Sequence, residues 1–284
     1  MDTLIARKSG KSKTARISRR GYSADAREVP PKVTPKQRPL TTVELFAGIG
    51  GFRIAADSLS IQTSWANDIS KKSCIVYRSR FGDGELCEGD IESVKSSIPR
   101  HDLLTGGFPC QPFSSAGKKE GTRDARGTLF QQIIDVLNAH RPRYFVLENV
   151  KRLLTMEKGS HFATILGALA ELDYFVEWRL LNAASFGLPQ SRERVFIIGE
   201  LAMPNQPPIT DGYCHVRMAG PQEIGSLKAS QTTRLFDPDS WRMISKHNAR
   251  FEDWGVAFNG RFFASDLPDF VSPFAPVKLA SVLE

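Results

Sequence analysis

The chain has 284 residues, of which 41% are hydrophobic and 24% charged, and its formal net charge is +7. This length and composition are ordinary for one large α/β domain with appendages. No apolar run approaches the length of a membrane span and no signal-peptide core is visible, so we expect neither a membrane protein nor a secreted one. The four cysteines lack the pairwise spacing of metal ligands, which predicts reduced thiols, an intracellular compartment and no bound metal.

The excess positive charge is confined to residues 1–40. This segment holds eleven Lys and Arg residues against three acidic ones, whereas the remaining 244 residues hold 27 basic and 28 acidic groups. With its Ser, Pro and Gly content, the segment is typical of a disordered basic tail that contacts phosphates without sequence preference. The alternative is a solvated leader without a role.

After the tail, short apolar runs alternate with stretches of helical periodicity. Strands are predicted at residues 43–47, 62–66, 103–104, 143–147, 174–181 and 195–198. Helices are predicted to end near residues 59 and 81 and to cover residues 128–139 and 161–172. This alternation over residues 41–199 predicts an α/β domain with a mostly parallel sheet and helices on both faces. Residues 200–284 show no strong periodicity and are predicted to be irregular.

Cys110 lies in the sequence Gly106-Gly-Phe-Pro-Cys-Gln-Pro-Phe-Ser-Ser115. A lone cysteine is more often a small buried hydrophobe. Here the prolines on either side fix the backbone around the sulfur, and short polar residues follow. This pattern favours a thiol nucleophile that is held in place by backbone geometry.

A glycine turn, Phe46-Ala-Gly-Ile-Gly-Gly51, follows the first predicted strand. It lacks the spacing of a dinucleotide-binding turn and has no lysine for a phosphate, but it lets a ligand approach the backbone. Asp68 ends the second strand, where a carboxylate typically binds ribose hydroxyls, and Asp90 lies in the next such loop. Together they predict a nucleoside-bearing cofactor without a pyrophosphate, a description that S-adenosylmethionine fits.

Glu148 closes an otherwise apolar strand, and Arg192 and Arg194 precede the predicted strand at residues 195–198. For Glu148, one interpretation is a strand-end carboxylate paired with an arginine. The other is a carboxyl group in a pocket that hydrogen-bonds or protonates a ring nitrogen. The arginines suit a base carbonyl, a phosphate or a local acid.

Six motifs in register resemble those of the C5-cytosine DNA methyltransferase family, over about residues 41–199. They are Phe46-Ala-Gly-Ile-Gly-Gly-Phe52, Asn67-Asp68, Gly89-Asp-Ile91, Gly107-Phe-Pro-Cys-Gln111, Glu148-Asn-Val150 and Gln190-Ser-Arg-Glu-Arg194. The resemblance implies a Rossmann-like fold that uses S-adenosylmethionine, with catalytic residues Cys110, Glu148, Arg192 and Arg194. It implies a cofactor-binding set of Phe46, Gly48, Ile49, Gly50, Asp68, Ile69, Asp90, Ile91 and Leu129.

The implied activity is transfer of a methyl group to C5 of cytosine in double-stranded DNA, through an adduct between Cys110 and C6 of a flipped base. The resemblance also implies a restriction-modification setting and a cytoplasmic, nucleoid-associated location in a prokaryote. Two alternatives remain: cytosine methylation in RNA, and a catalytically silent DNA-binding or regulatory chain.

Two motifs that follow the recognition region in the family, a Thr-Pro helix and a Gly-Asn-Ser/Ala-Val turn, are not found between Glu200 and Glu284. Three explanations are open: a complementary polypeptide that supplies them, a truncated product, or a minimal recognition element within residues 200–284. We expect the first, and therefore little methyl transfer by the chain alone.

Overall fold

The computed structural model describes residues 38–109, 129–202 and 238–266. The strands in these ranges are β1 (Thr41–Leu45), β2 (Gln62–Asp68), β3 (Leu86–Glu88), β4 (Leu103–Gly107), β5 (Tyr144–Val150), β6 (Tyr174–Asn182), β7 (Glu193–Leu201), β8 (Arg242–Met243), β9 (Trp254–Phe258) and β10 (Arg261–Ser265). The α-helices are α1 (Gly51–Ser58), α2 (Lys71–Phe81), α3 (Ile91–Val94), α4 (Leu129–His140) and α5 (Ser160–Ala170). None of the helices described is long and apolar enough to cross a membrane.

All ten strands belong to one sheet, in the order β3-β2-β1-β4-β5-β7-β6-β9-β10-β8. Strands β1 to β5 pair in parallel, whereas β7 is antiparallel to both β5 and β6. The carboxyl ends of β1 to β5 therefore meet at one edge of the sheet. The strand order reverses between β1 and β4, which is the place where open α/β sheets bind their ligands.

Local signals explain where the helices near this edge begin. Gly50 precedes α1 with φ of 86°, a conformation that glycine adopts without a steric penalty. Ser70 accepts a hydrogen bond from the N–H of Ser73 and so caps α2, and Asp90 caps α3 in the same way through the N–H of Glu92.

Alternate residues of the strands enter apolar clusters on opposite faces of the sheet. On one face, Ala47, Ala66, Cys74, Tyr77 and Leu86 form a small cluster with Phe81 of α2. On the other face, Leu104, Leu147 and Trp178 belong to the main core, to which α4 and α5 contribute. The two layers of helices hold the strand ends in fixed positions, and this arrangement confirms the predicted α/β fold.

The structure differs from the sequence prediction at several points. The sheet is mixed rather than mostly parallel, because all pairs that involve β6 to β10 are antiparallel. Strand β3 was not predicted because its three residues are too few for a periodicity signal. The segment predicted to be irregular after residue 199 contributes β8, β9 and β10, and β9 pairs with β6. The Asn259-Gly260 turn, with φ of 48° and 71°, was the signal for this hairpin, because Asn-Gly between apolar strands favours a tight turn. The prediction of an irregular segment is therefore wrong for residues 254–265.

Candidate functional site

The glycine turn that follows β1 is fixed by hydrogen bonds that its backbone N–H groups donate to β2. The N–H of Ala47 donates to the carbonyl of Asn67 at 2.8 Å, and the N–H of Gly48 donates to Asp68 Oδ2 at 2.8 Å. Phe46 has φ of 54°, a left-handed conformation that costs a non-glycine residue about 1 kcal/mol or more. These bonds help to hold the turn in this conformation.

The glycines of the turn have two different roles. At Gly48 a Cβ atom would meet nothing within 4 Å, so a ligand can approach the backbone there. At Gly50 a Cβ atom would overlap the Phe81 ring, so this glycine is required for packing between α1 and α2. Gly48, like Gly51, therefore faces open space, whereas Gly50 does not.

Asp68 and Asp90 stand at the ends of neighbouring strands, as the sequence predicts. Asp68 Oδ1 accepts from the N–H of Ser70 at 2.7 Å, in addition to the bond from Gly48 to Oδ2. Each carboxylate oxygen has a second lone pair, so a ribose hydroxyl can still donate to Asp68. Asp90 uses Oδ1 to accept from Glu92 at 3.0 Å.

The apolar members of the predicted cofactor-binding set do not share one environment. Ile49 and Ile69 are 53% and 67% exposed at the ends of β1 and β2, which suits contact with a ligand ring. Ile91 is 2% exposed and packs in the main core, so it offers a ligand its backbone rather than its side chain. Leu129 begins α4 and is partly buried against the same core.

Glu148 and Arg194 form an ion pair on adjacent strands. Arg194 Nε lies 2.7 Å from Glu148 Oε1, and Val150 of β5 pairs with Arg194 of β7. The other carboxylate oxygen, Oε2, lies 3.4 Å from the position of a Cβ atom on Gly107, at the end of β4. A larger residue than glycine at this position would crowd the carboxylate. The structure thus shows the first interpretation of Glu148, a strand-end carboxylate paired with an arginine, and contact with a ring nitrogen stays a prediction.

The segment that leads to Cys110 is anchored by Asn149. Its Nδ2 donates to the carbonyl of Phe108 at 2.9 Å, and its Oδ1 accepts from the N–H of Val150. Cys110 itself lies outside the described residues. Of the cysteines that are described, Cys74 is buried, and burial raises the pKa of its thiol, which disfavours the reactive thiolate.

Arg192 is exposed immediately before β7, and its backbone rather than its side chain contacts Asn182. The structure therefore brings Arg194, but not Arg192, to Glu148. Lys151, which the sequence analysis did not single out, lies just after β5 and pairs with Glu193 at 2.9 Å. The signal in the sequence that could have indicated Lys151 was its position three residues after Glu148. Asn67 and Asn149 were also missed as side chains that position the loops.

A buried carboxyl group lies beneath the glycine turn. Glu44 of β1 is 1% exposed, and its Oε2 has no hydrogen-bond partner in the described parts of the chain. Burial raises the pKa of Glu44 to about 7, although the N–H groups of Arg53 and Phe52 and the charge of Arg53 act to lower it. This carboxyl therefore titrates near neutral pH.

These residues fit a nucleoside cofactor without a pyrophosphate. An open backbone at Gly48, two strand-end carboxylates and two exposed isoleucines lie at the ends of β1, β2 and β3. Glu148 lies on β5, which is three strand spacings, or about 14 Å, from β2. The fold and the site thus define an α/β protein with strand-end residues that suit a nucleoside and, at the same edge of the sheet, a carboxylate–arginine pair.

The family model of C-5 cytosine-specific DNA methylase matches residues 40–243. The chain therefore belongs to this family, as its motifs predict, and the co-substrate of the family is S-adenosylmethionine.

Two curated relatives are similar to the matched part. The Type II methyltransferase M1.ScrFI of Lactococcus lactis subsp. cremoris is 45% identical over 174 residues, which are 61% of this chain and 44% of that protein. The Type II methyltransferase M.DsaV of Dactylococcopsis salina is 45% identical over 165 residues, which are 58% of this chain and 46% of that protein. The match thus spans less than half the length of either relative. Among solved structures, a mutant of DNMT2 from Spodoptera frugiperda is 26% identical and covers 59% of this chain and 52% of its own, with a TM-score of 0.47.

Proposed function

We propose that this chain transfers a methyl group from S-adenosylmethionine to C5 of cytosine in DNA. The observation that carries the proposal is the Glu148–Arg194 pair at 2.7 Å, beside the β4 end that leads to Cys110. The cofactor loops after β1 and β2 lie at the same edge of the sheet. A nucleophile, a carboxyl group for the base and a methyl donor would then converge at this edge.

The proposed chemistry explains why these groups are needed together. C5 of cytosine is a poor nucleophile until a thiolate bonds to C6 and moves electron density to C5. Cys110 would form this S–C6 bond, while Glu148 would hydrogen-bond N3 and the exocyclic amine and so stabilise the negative charge on the ring. S-adenosylmethionine, when bound, supplies an electrophilic methyl group. Loss of the C5 proton to a base then allows the S–C6 bond to break and releases Cys110.

Arg194 has a defined part in this scheme. Its Nη1 donates to the backbone carbonyl of Glu193, and its Nε pairs with Glu148, so the guanidinium is fixed from two directions. A fixed guanidinium can orient the Glu148 carboxylate and direct a remaining N–H at the O2 carbonyl of the base. We propose that Arg192, which is exposed next to it, contacts the loop that carries Cys110.

The target base must leave the duplex before these groups can reach it, so the proposal includes base flipping. Double-stranded DNA as the substrate, a restriction-modification role and a cytoplasmic, nucleoid-associated location follow from the family and its Type II relatives and stay predictions. The absence of a metal from the reaction is likewise a prediction. The complementary polypeptide finds no support in the comparisons, and it too stays a prediction.

Covalent trapping tests the proposal. 5-Fluorocytosine carries fluorine in place of hydrogen at C5, so no proton can leave after methyl transfer. A duplex that contains it should therefore remain bonded to the protein in a denaturing gel, and only when S-adenosylmethionine is present. Cys110→Ala should abolish the adduct, while the matched variant Cys214→Ala should retain it. The complex should be sought with the chain alone and with proteins encoded next to it.

Three results would contradict the proposal. An adduct formed by Cys110→Ala would exclude Cys110 as the nucleophile. Trapping on 5-fluorocytosine RNA without trapping on DNA would favour the RNA alternative, and no trapping under any condition would favour the silent chain.

A further inference from the structure

Asn67 is a buried polar side chain to which the proposed reaction assigns no role. It lies one residue before the end of β2 and is 1% exposed. Its Nδ2 donates to the carbonyl of Cys87 and to the carbonyl of Gly89, both at 2.9 Å. Both acceptors are backbone carbonyls, so only the amide nitrogen can face them and the orientation of the side chain is determined.

The two acceptors belong to the loop that carries Asp90. Register between β2 and β3 ends at Asp68 and Glu88, so regular sheet pairing stops just before Gly89. The Asn67 amide continues the connection beyond that point, together with the bond from the N–H of Gly89 to the carbonyl of Asp68 at 3.1 Å. Asp90 follows directly and is therefore placed relative to β2.

Asn67 and Asp68 also hold the glycine turn. The carbonyl of Asn67 accepts from Ala47, and the carboxylate of Asp68 accepts from Gly48, both at 2.8 Å. Asn67 thus bonds through its backbone to the loop after β1 and through its side chain to the loop after β3. The three loops that are proposed to hold the cofactor meet at this residue.

We propose that Asn67 is a positioning residue for S-adenosylmethionine, because its side-chain amide sets the distance of Asp90 from Asp68 and the glycine turn. The inference rests on the proposed function for the identity of the ligand. The placement of the Asp90 loop does not depend on that identity and can be measured without ligand.

Asn67→Asp separates positioning from simple loss of volume. The two side chains have the same shape, but an ionised carboxylate has no donor and would face two carbonyl oxygens. When it is protonated, it can donate to one of them. The defect should therefore be large at pH 8 and smaller at pH 5.5. Asn67→Ala, which lacks both donors at every pH, should show a defect of similar size at both.

The control is Asn138→Asp, which makes the same change of charge at an exposed position near the end of α4. The titratable residues close to Asn67 in sequence or strand register are Asp68, Cys87, Glu88 and Asp90, and Cys74 donates to the carbonyl of Asp68. They are common to all variants, so ratios of dissociation constants at one pH cancel their contribution.

Calorimetric titration with S-adenosylhomocysteine, the stable product of the cofactor, gives the dissociation constants. Loss of two buried hydrogen bonds should weaken binding about thirtyfold in Asn67→Ala, and by at least that factor in Asn67→Asp at pH 8. The Asn67→Asp defect should shrink about fivefold or more at pH 5.5, as one donor is restored. The dissociation constant of Asn138→Asp should stay within about twofold of the unmodified chain, since exposed changes have small effects.

Hydrogen exchange of residues 86–94 in the unliganded protein supplies the independent measurement. Exchange there should accelerate in both Asn67 variants, relative to the intrinsic rate at the same pH, and should be unchanged in Asn138→Asp. Unchanged exchange and unchanged affinity in Asn67→Asp at pH 8 would overturn the positioning role. If exchange accelerates but the unmodified chain binds no S-adenosylhomocysteine, the cofactor assignment fails and the positioning role toward that cofactor fails with it. Loss of folded structure throughout the chain in both variants would contradict a local role.

Discussion

Replacement of Glu44 by Gln is expected to remove a pH-dependent loss of stability from the strand that carries the glycine turn. In the folded chain the pKa of Glu44 is raised from 4.5 to about 7, mainly because burial disfavours the charged carboxylate. The folded state therefore holds a proton that the unfolded state has released between these two values. Stability falls as the pH rises through this window and is level above it.

The magnitude follows from the two pKa values. The full difference between 4.5 and about 7 corresponds to about 3 kcal/mol of unfolding free energy. About 2.5 kcal/mol of this should be lost between pH 5 and pH 8, because some proton release has already occurred at pH 5. The Gln side chain has no such titration, so any fixed effect of the substitution is the same at both pH values.

Urea unfolding at pH 5 and pH 8 measures the effect as a difference. The unfolding free energy of Glu44→Gln minus that of the unmodified chain should rise by about 2.5 kcal/mol from pH 5 to pH 8. The matched control Glu171→Gln, at an exposed position after α5, should show no such rise. A Glu44→Gln difference that is level with pH would show that the carboxylate is ionised in the folded chain throughout, and the burial argument would be wrong.

Three other substitutions test the site. Asp68→Asn should weaken binding of S-adenosylhomocysteine at least tenfold by calorimetry, because a charged acceptor for the ribose and for the glycine-turn amide is lost; unchanged affinity would refute this role. Glu148→Gln should reduce methyl transfer about a hundredfold or more while the affinity for S-adenosylhomocysteine stays within about twofold, since the change removes the proton donor to the base and the ion pair with Arg194 but alters no residue proposed to hold the cofactor; a parallel loss of binding would contradict the assignment. Gly50→Ala should lower the unfolding free energy by about 1–2 kcal/mol or more, because of its positive φ and the overlap with Phe81, whereas Gly84→Ala, with open space at its Cβ position, should not.

The sequence predicted the central fold because its signals are local. Apart from the short β3 and α3, the βα units from Thr41 to Val150 have an apolar run, a turn and a helical stretch, and the structure places elements at those positions. The Asn-Gly turn at residue 259 was an equally local signal for a hairpin. Strand β9, which leads into this turn, pairs with β6, about eighty residues earlier. Periodicity within one segment carries no information on such a distant partner.

The candidate site was only partly readable for the same reason. Strand-end carboxylates such as Asp68 are visible because their position in the pattern is unusual. The pairing of Arg194 with Glu148 needed the antiparallel insertion of β7 beside β5, which the predicted mostly parallel sheet did not include. The role of Asn67 depends on where the carbonyl of Gly89 lies. Every residue has a backbone carbonyl, so the sequence does not indicate which one accepts the bond.

Transfer of labelled methyl groups, followed by analysis of the nucleosides, tests the central claim most directly. Mixed-sequence duplex DNA is incubated with labelled S-adenosylmethionine and the chain, alone and with proteins encoded next to it, and is then digested. We expect label in 5-methylcytosine, little from the chain alone and more with the partner, and less by about a hundredfold or more with Glu148→Gln. Label in another nucleoside, or no label in DNA under either condition from a chain that binds S-adenosylmethionine, would contradict that claim.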